Sequence, residues 1–447
     1  MSADTALFSG LFARGEAAER ASERAFLQAM LDFEVALMHA LVHADLAPEG
    51  AATELIELAD AATFDLDALG RSTGEKGTPV PGLLSALRER LSDRAAAYLH
   101  TGATSQDVVD TAMMLVARRA LEPLLEDLGR AAEAAAALAR EHRDALIPGR
   151  TLLQHALPVT FGLKAAGWLA ALEAAIADLA AVQSEVLALQ LGGAVGTLAA
   201  LGDHGLAVAA DVAEQLGLPE PPLPWHTIRQ RPARLAAALG STTGVLGKIA
   251  RDVVLLAQSE LSEASEGGGE GRGGSSTMPH KRNPVGAVAV LACAARTPGL
   301  VATILSAMVQ EHERAAGAWQ AEWAPMLELL RLTGSAAAVS ADVLSGLEVD
   351  PQKMQADLEV TGALLMSESV ATALSGSLGR AAAQTLVGRA ARAAAEHGRP
   401  FRDVLRDTPE VADALGPEGI DRALDPARYL GVADELIERA LSLRARR

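Results

Sequence analysis

From Val108 to about Leu146 apolar residues recur at helical spacing almost without a break, through Pro123 and with no obvious caps. A helix of more than thirty residues spans about 45 Å at 1.5 Å per residue. An element that long has to be covered along its whole length by others like it, so a bundle of long helices is the expected frame. Further helical patterns run from about Ala233 to Glu266, from Val285 to Gln310 and from Glu322 to Leu344, and another long helix is expected to begin near Pro158. Together these make about five long helices between Val108 and Leu344.

Composition fits the same frame. Half of the residues are hydrophobic, only 3% are aromatic, and alanine is abundant throughout. Small side chains with good helix propensity favour close helix–helix packing over sheet. The 447 residues suffice for two or three domains. The expected fold is all-α: an N-terminal helical domain over residues 1–107, a central long-helix bundle over 108–350 and a C-terminal helical domain over 351–447. In the first domain, residues 17–44 carry Phe26, Met30, Phe33, Leu37 and Leu41 at helical spacing, closed by Pro48 and Gly50. A shorter helix follows. Arg71 to Gly82, RSTGEKGTPVPG, reads as a loop before a helix resumes at Leu83.

The formal net charge is −18, which argues against nucleic acid or an anionic membrane as a partner. An anionic ligand has to meet a local basic cluster within a repulsive whole. Cys293 is the single cysteine, so neither an intramolecular disulfide nor a cysteine-cluster metal site is expected. The first residues lack the basic start and apolar core of a secretory signal, and no uninterrupted apolar stretch looks long enough for a bilayer. A soluble, cytoplasmic protein is expected.

Five stretches carry possible chemistry. Six glycines between Gly267 and Gly274 lead into Ser275-Ser276-Thr277-Met278-Pro279-His280-Lys281-Arg282-Asn283-Pro284. The glycine run alone reads as a flexible linker. The donors and cations behind it suit an anion instead. His100-Thr101-Gly102-Ala103-Thr104-Ser105-Gln106-Asp107 precedes the longest helix, where Thr104 or Ser105 can cap and free N–H groups can hold an anion. On spacing alone, ordinary capping is the better reading. His155 is expected at a helix entrance beside Arg150, Thr151 and Gln154, as a structural histidine or as a site residue. The stretch PEPPLPWHTIRQRP is a proline-stiffened turn or part of a site. In Glu311-His312-Glu313-Arg314, helical neighbours diverge by about 100°, which disfavours a metal. Arg314 reads there as an anion clamp or a surface ion pair. No HExxH-like spacing occurs, and neither metal nor cofactor is expected.

GSSTMPHKRNP resembles the signature of the fumarase/aspartase superfamily, and HTGATSQD and GRTLLQHALPVT resemble its other two motif regions, in the same order along the chain. The resemblance implies removal or return of a proton beside a carboxylate, through an aci-carboxylate. It implies Ser275 as an acid–base residue on the signature loop, with His155 as its counterpart and Lys281 facing the dianion. It implies substrate contacts from His100, Thr104, Ser105, Thr151, Gln154, Arg282 and Asn283, with Arg314 beside them. Only five lysines occur, and a compact point charge kept at Lys281 among so many arginines fits that role. The stretches LGGAVGTLAALG, PWHTIRQR, QEHERAAGAWQAEW and LDPARYLG resemble the superfamily's lactonising cycloisomerases, whose substrate is a tricarboxylate diene. Adenylosuccinate lyases commonly place a Ser-Glu pair shortly after RNP, where this chain has Gly286, Ala287 and Val288. The resemblance also implies a homotetramer whose active sites draw on several chains.

Overall fold

The computed structural model describes residues 7–267, 273–274, 278 and 281–445. The fold is all-α. Between Ser105 and Ser345 run five long helices, Ser105–Glu141, Phe161–Glu185, Gln230–Leu256, Val285–Ser306 and Trp323–Ser345. The first holds 37 residues and keeps Pro123 inside it. Four short strands form two antiparallel pairs: β1 (Leu146–Thr151) with β2 (Gln154–Thr160), and β3 (Ala264–Glu266) with β4 (Leu347–Val349).

The chain divides into two compact units. One comprises Met1–Gly129, Ala174–Lys248 and Val288–Ser340, the other Arg130–Glu173, Ile249–Ala287 and Ala341–Arg447. In the first unit the helix Glu23–His43 starts where the Ser22 hydroxyl accepts the Ala25 N–H, and it buries Leu27, Met30, Phe33, Leu37 and Leu41. The start of Ser105–Glu141 is buried almost all round, with Val108, Ala112, Met114, Val116 and Ala117 sealed from solvent. Such a face needs the small residues the sequence supplies. Thr243 and Thr333 exchange a 2.9 Å hydroxyl hydrogen bond between two of the long helices. In the second unit, the indole of Trp168 donates to Asp252 at 2.7 Å. A separate apolar cluster there runs from Met366 to Leu424 and includes Val370, Leu386 and Phe401.

Several expectations need correction. Arg71 to Gly82 is mostly helical: Leu66–Lys76 is capped by Asp65 and ended by left-handed Gly77, and Val80–Arg88 begins after Pro79. Gly74 and Pro81 are tolerated because the first is exposed and the second sits in a first turn. The helix expected to reach Glu266 ends at Leu256, after which Ser262 turns left-handed and the chain becomes β3. Among the described residues, three helices are in fact long and apolar enough to cross a membrane by length and composition: Glu23–His43, Phe161–Glu185 and Val285–Ser306. Alanine raises their average without any run of bulky residues. The first two bury 67% and 56% of that window inside the fold, the third only 28%.

The largest correction concerns His155. The helix begins only at Phe161, where the Thr160 hydroxyl accepts the Leu163 N–H, and residues 146–160 form a hairpin. Prolines 148 and 158 face each other across it, and neither can donate to a helix ladder. The turn is the pair Leu152-Leu153, both with positive φ (51° and 63°). Turns of this hand normally announce themselves by Asn-Gly or Asp-Gly, so Leu-Leu leaves no signal.

Candidate active site

The first unit gathers its candidate residues around the start of Ser105–Glu141. Thr104 occupies the cap position, and Asp107 in the first turn accepts the Thr104 N–H at 2.9 Å. The fully buried Asp107 carboxylate also accepts the Gly192 and Gly193 N–H groups at 3.0 and 2.9 Å, and it meets His226 Nε2 at 2.7 Å. One carboxylate thereby fastens two separate segments, Gly192-Gly193 and His226, to the helix start. Gly193 is required in this arrangement, with φ at +69° and the Gly102 carbonyl 2.8 Å from where a Cβ would stand.

His100 precedes the same turn, itself left-handed, with Nδ1 2.7 Å from the wholly buried Glu34. Burial alone would lower its pKa, but the charge and hydrogen bond of Glu34 outweigh that and raise it. His100 therefore stays cationic to higher pH than an ordinary histidine. Gln106 donates to Asp110 and to the His226 carbonyl, and its own oxygen accepts from Arg314 Nε at 3.2 Å. Arg314 Nη2 is buried with no hydrogen-bond partner. His100, Thr104, Ser105 and Arg314 are thus carried within this unit at or beside one helix start.

Below them lies an ion cluster. Arg229, 3% exposed, grips Asp110 with two nitrogens at 2.7 and 2.9 Å and Glu322 with Nη2 and Nε at 2.5 and 3.0 Å. Its guanidinium lies 4.9 Å over the Trp225 ring, and Trp319 donates to Asp110 at 3.0 Å. Burial pushes the Glu322 carboxyl above the usual carboxylate range, although Arg229 opposes the shift. Glu34, Asp107, Asp110 and Glu322 carry no sequence signal that marks them as site residues. The one available signal was PWHTIRQR, whose Trp225, His226 and Arg229 all prove buried.

The second unit carries the other candidates on two elements. On the hairpin, Thr151 and Gln154 are exposed, and His155 pairs in register with Arg150. His155 is partly buried, and desolvation, then the Arg150 charge, lower its pKa against a smaller opposing pull from Asp357. It is held as a neutral imidazole, suited to accept a proton. Its Nδ1 is buried without a partner.

The signature loop departs from β3 and returns to the helix Val285–Ser306. Glu266 at the end of β3 accepts the Gly286 and Ala287 N–H groups at 3.0 and 2.6 Å, which fixes the loop's base to that helix start. Asn283 reaches back to the Gly273 carbonyl with its backbone N–H (2.9 Å) and its side-chain amide (3.1 Å). Gly273 has φ +70°, and a Cβ there would stand 2.3 Å from the Asn283 carbonyl. Lys281 is exposed, and exposed Arg282 lies 3.8 Å from Glu348. Ser275 lies outside the described residues. Among the described residues no group of three or more histidine, cysteine or acidic side chains is placed to hold a metal ion.

Comparison with known proteins fits these motifs to a family. The family model described as "Lyase" matches residues 13–299, and the one described as "Adenylosuccinate lyase C-terminus" matches residues 363–440. The chain is 46% identical to a 3-carboxy-cis,cis-muconate cycloisomerase of Bradyrhizobium diazoefficiens, over 92% of each chain. It is 44% identical to a nitrosuccinate lyase of Streptomyces davaonensis, over 91% of this chain and 88% of the other. The solved 3-carboxy-cis,cis-muconate lactonizing enzyme from Pseudomonas putida superposes with a TM-score of 0.92 at 41% identity, covering 98% of this chain and 99% of that one.

Proposed function

The chain belongs to the lyase family of the fumarase/aspartase superfamily, and on that premise we propose that it acts as a 3-carboxy-cis,cis-muconate cycloisomerase. The end-to-end likeness to the Bradyrhizobium cycloisomerase carries this reading. In the reaction a carboxylate oxygen of the tricarboxylate adds to one end of a conjugated double bond and closes a lactone. The electron pair moves to the neighbouring carbon and into its carboxylate, which becomes a dianionic aci-carboxylate. A proton then reaches that carbon.

Preorganised cations and N–H donors stabilise such a dianion most effectively where water is excluded. In this reading Lys281 meets the aci-carboxylate, while Arg282, Arg314 and the cationic His100 hold the other carboxylates. Thr104, Ser105, Thr151, Gln154 and Asn283 complete the contacts. Ser275 delivers the proton, and His155, kept neutral, exchanges protons with it. A serine hydroxyl is too weak an acid and base to act without such help.

The test is ultraviolet absorbance of purified protein with 3-carboxy-cis,cis-muconate: the diene band should disappear, with activity unchanged by a chelator. The likeness to the nitrosuccinate lyase favours a second reading, and nitrosuccinate is the matched control. Adenylosuccinate tests a third, raised by the match at residues 363–440. Turnover of either control with an unchanged diene band overturns the cycloisomerase.

The chain works as a soluble cytoplasmic homotetramer with composite sites, in this reading. The apolar helix Val285–Ser306 is left largely uncovered by its own chain, and Leu152 and Leu153 stand 97% and 72% exposed beside His155. The three-region division at 107 and 350 is kept as part of the proposal, supported by the separate C-terminal cluster. Mixing inactive His155→Ala and Ser275→Ala chains should restore part of the activity, because some sites receive both intact residues from different subunits. A monomer by light scattering, or no recovery after confirmed subunit exchange, refutes the composite site.

A further inference from the structure

Behind the hairpin, the second unit holds charged groups that the reaction does not touch. Arg150 on β1 donates through Nη2 to Glu263 at 2.8 Å, and Glu263, just before β3, is completely buried. Lys353 donates to Asp357 at 2.7 Å, one turn along the helix Pro351–Leu358, and Asp357 is 3% exposed. Each carboxylate has one oxygen satisfied by its cation. The other two, Glu263 Oε2 and Asp357 Oδ2, are buried with no donor. Burial, and the contact with Asp357, raise the pKa of Glu263 against the pull of Arg150.

The two carboxyl groups are in hydrogen-bonding contact, and two acceptors without another donor are satisfied together by one proton between them. That proton also changes the local charge. With both acids ionised, Arg150 and Lys353 are balanced; with one proton shared, the cluster carries one net positive charge beside His155. The groups that act on the imidazole are Arg150 across the strand pair and Asp357 from the helix.

We propose that Glu263 and Asp357 share a single proton and clamp Arg150 against His155, so that Arg150 is the positioning residue that keeps the imidazole neutral and ready to accept a proton. The part about catalysis rests on reading His155 as an acid–base residue; the clamp itself does not.

The experiment is a ¹³C-histidine NMR titration of the whole protein without substrate, with the His155 signal assigned by its loss in His155→Gln. In the wild type His155 should titrate below the ordinary histidine midpoint of about 6.5. Arg150→Gln should move that midpoint up by about one pH unit, while Arg150→Lys should leave it in place. Should Arg150→Gln fail to fold with Glu263 left unpaired, Arg150→Gln/Glu263→Gln removes the stranded charge and should show the same rise. Glu263→Gln mimics the protonated acid and donates to Asp357, so the midpoint should stay put. A fall in that variant means both acids were ionised and overturns the shared proton; no rise on removal of Arg150 overturns the clamp. If activity is absent but the midpoints behave as stated, the functional reading fails and the clamp stands.

Discussion

Around Asp107 a buried carboxylate accepts three backbone N–H groups and meets a histidine, while around His155 three buried polar atoms have no hydrogen-bond partner. The first unit ties most of these charges to one another, His100 to Glu34 and Arg229 to Asp110 and Glu322, and leaves Arg314 Nη2 and Glu34 Oε2 without a partner. The second leaves Lys281, Arg282 and the hairpin tip open to solvent. Saturated, buried networks hold a backbone in one shape, and a substrate cannot reach most of their donors. Exposed cations and a half-buried imidazole contribute little to stability and remain free for chemistry. The comparison teaches that residue type alone does not mark a site. Asp107 and His226 look as catalytic as any pair in the chain, yet each is used in holding loops.

Substitutions can break this contrast. The largest effect belongs to the proposed acid–base pair: Ser275→Ala and His155→Ala should each lower turnover by about two to four decades with little change in thermal midpoint. Near wild-type rates in both would remove the catalytic assignment. Next, on the saturated side, Arg229→Met strands two buried carboxylates and should cost about 3–5 kcal/mol of unfolding free energy. Restoring neutrality with Asp110→Asn and Glu322→Gln should recover part of it. A loss under about 1 kcal/mol by urea unfolding would mean the cluster does not hold the fold.

Lys281→Met should reduce kcat by about 10²–10³, the usual effect of removing one donor from a developing anion. Arg282→Met and Arg314→Met should act mainly on KM. Equal effects on kcat in all three would erase that division. The smallest effect is pH-dependent. Because the folded pKa of His100 is raised, its pairing with Glu34 stabilises fully below about pH 6.5 and fades as pH rises through the folded value. Urea unfolding of wild type against Glu34→Gln should therefore differ most at low pH and converge at high pH; a difference that does not vary with pH would refute it.

Much of the frame was legible before any coordinates. Periodicity placed the five long helices, because a 3.6-residue pattern survives over many turns and through Pro123 and Pro298. The motif around His100 and the signature loop were legible as runs of unusual residue types. The hairpin was not, since its turn uses Leu-Leu where the positive φ values call for Asn or Gly. Nor is Arg71 to Gly82 a loop, because the Asp65 cap and left-handed Gly77 bound a helix that runs through Gly70 and Gly74, and Pro79 and Pro81 sit at the start of the next.

By itself the sequence determined an all-α chain of long helices, three motif regions and the density of cations near Ser275, since these depend on neighbours along the chain. Only the tertiary structure decided which charges are used up. Glu34 meets His100 across 66 positions, Asp107 meets His226 across 119, and Arg150 meets Glu263 across 113. Pairings at such separations are set by how helices and hairpin pack, and no local pattern records them. Burial then turns each pairing into chemistry: the same kind of side chain keeps its proton to higher pH beside Glu34 at His100 and gives it up at lower pH beside Arg150 at His155.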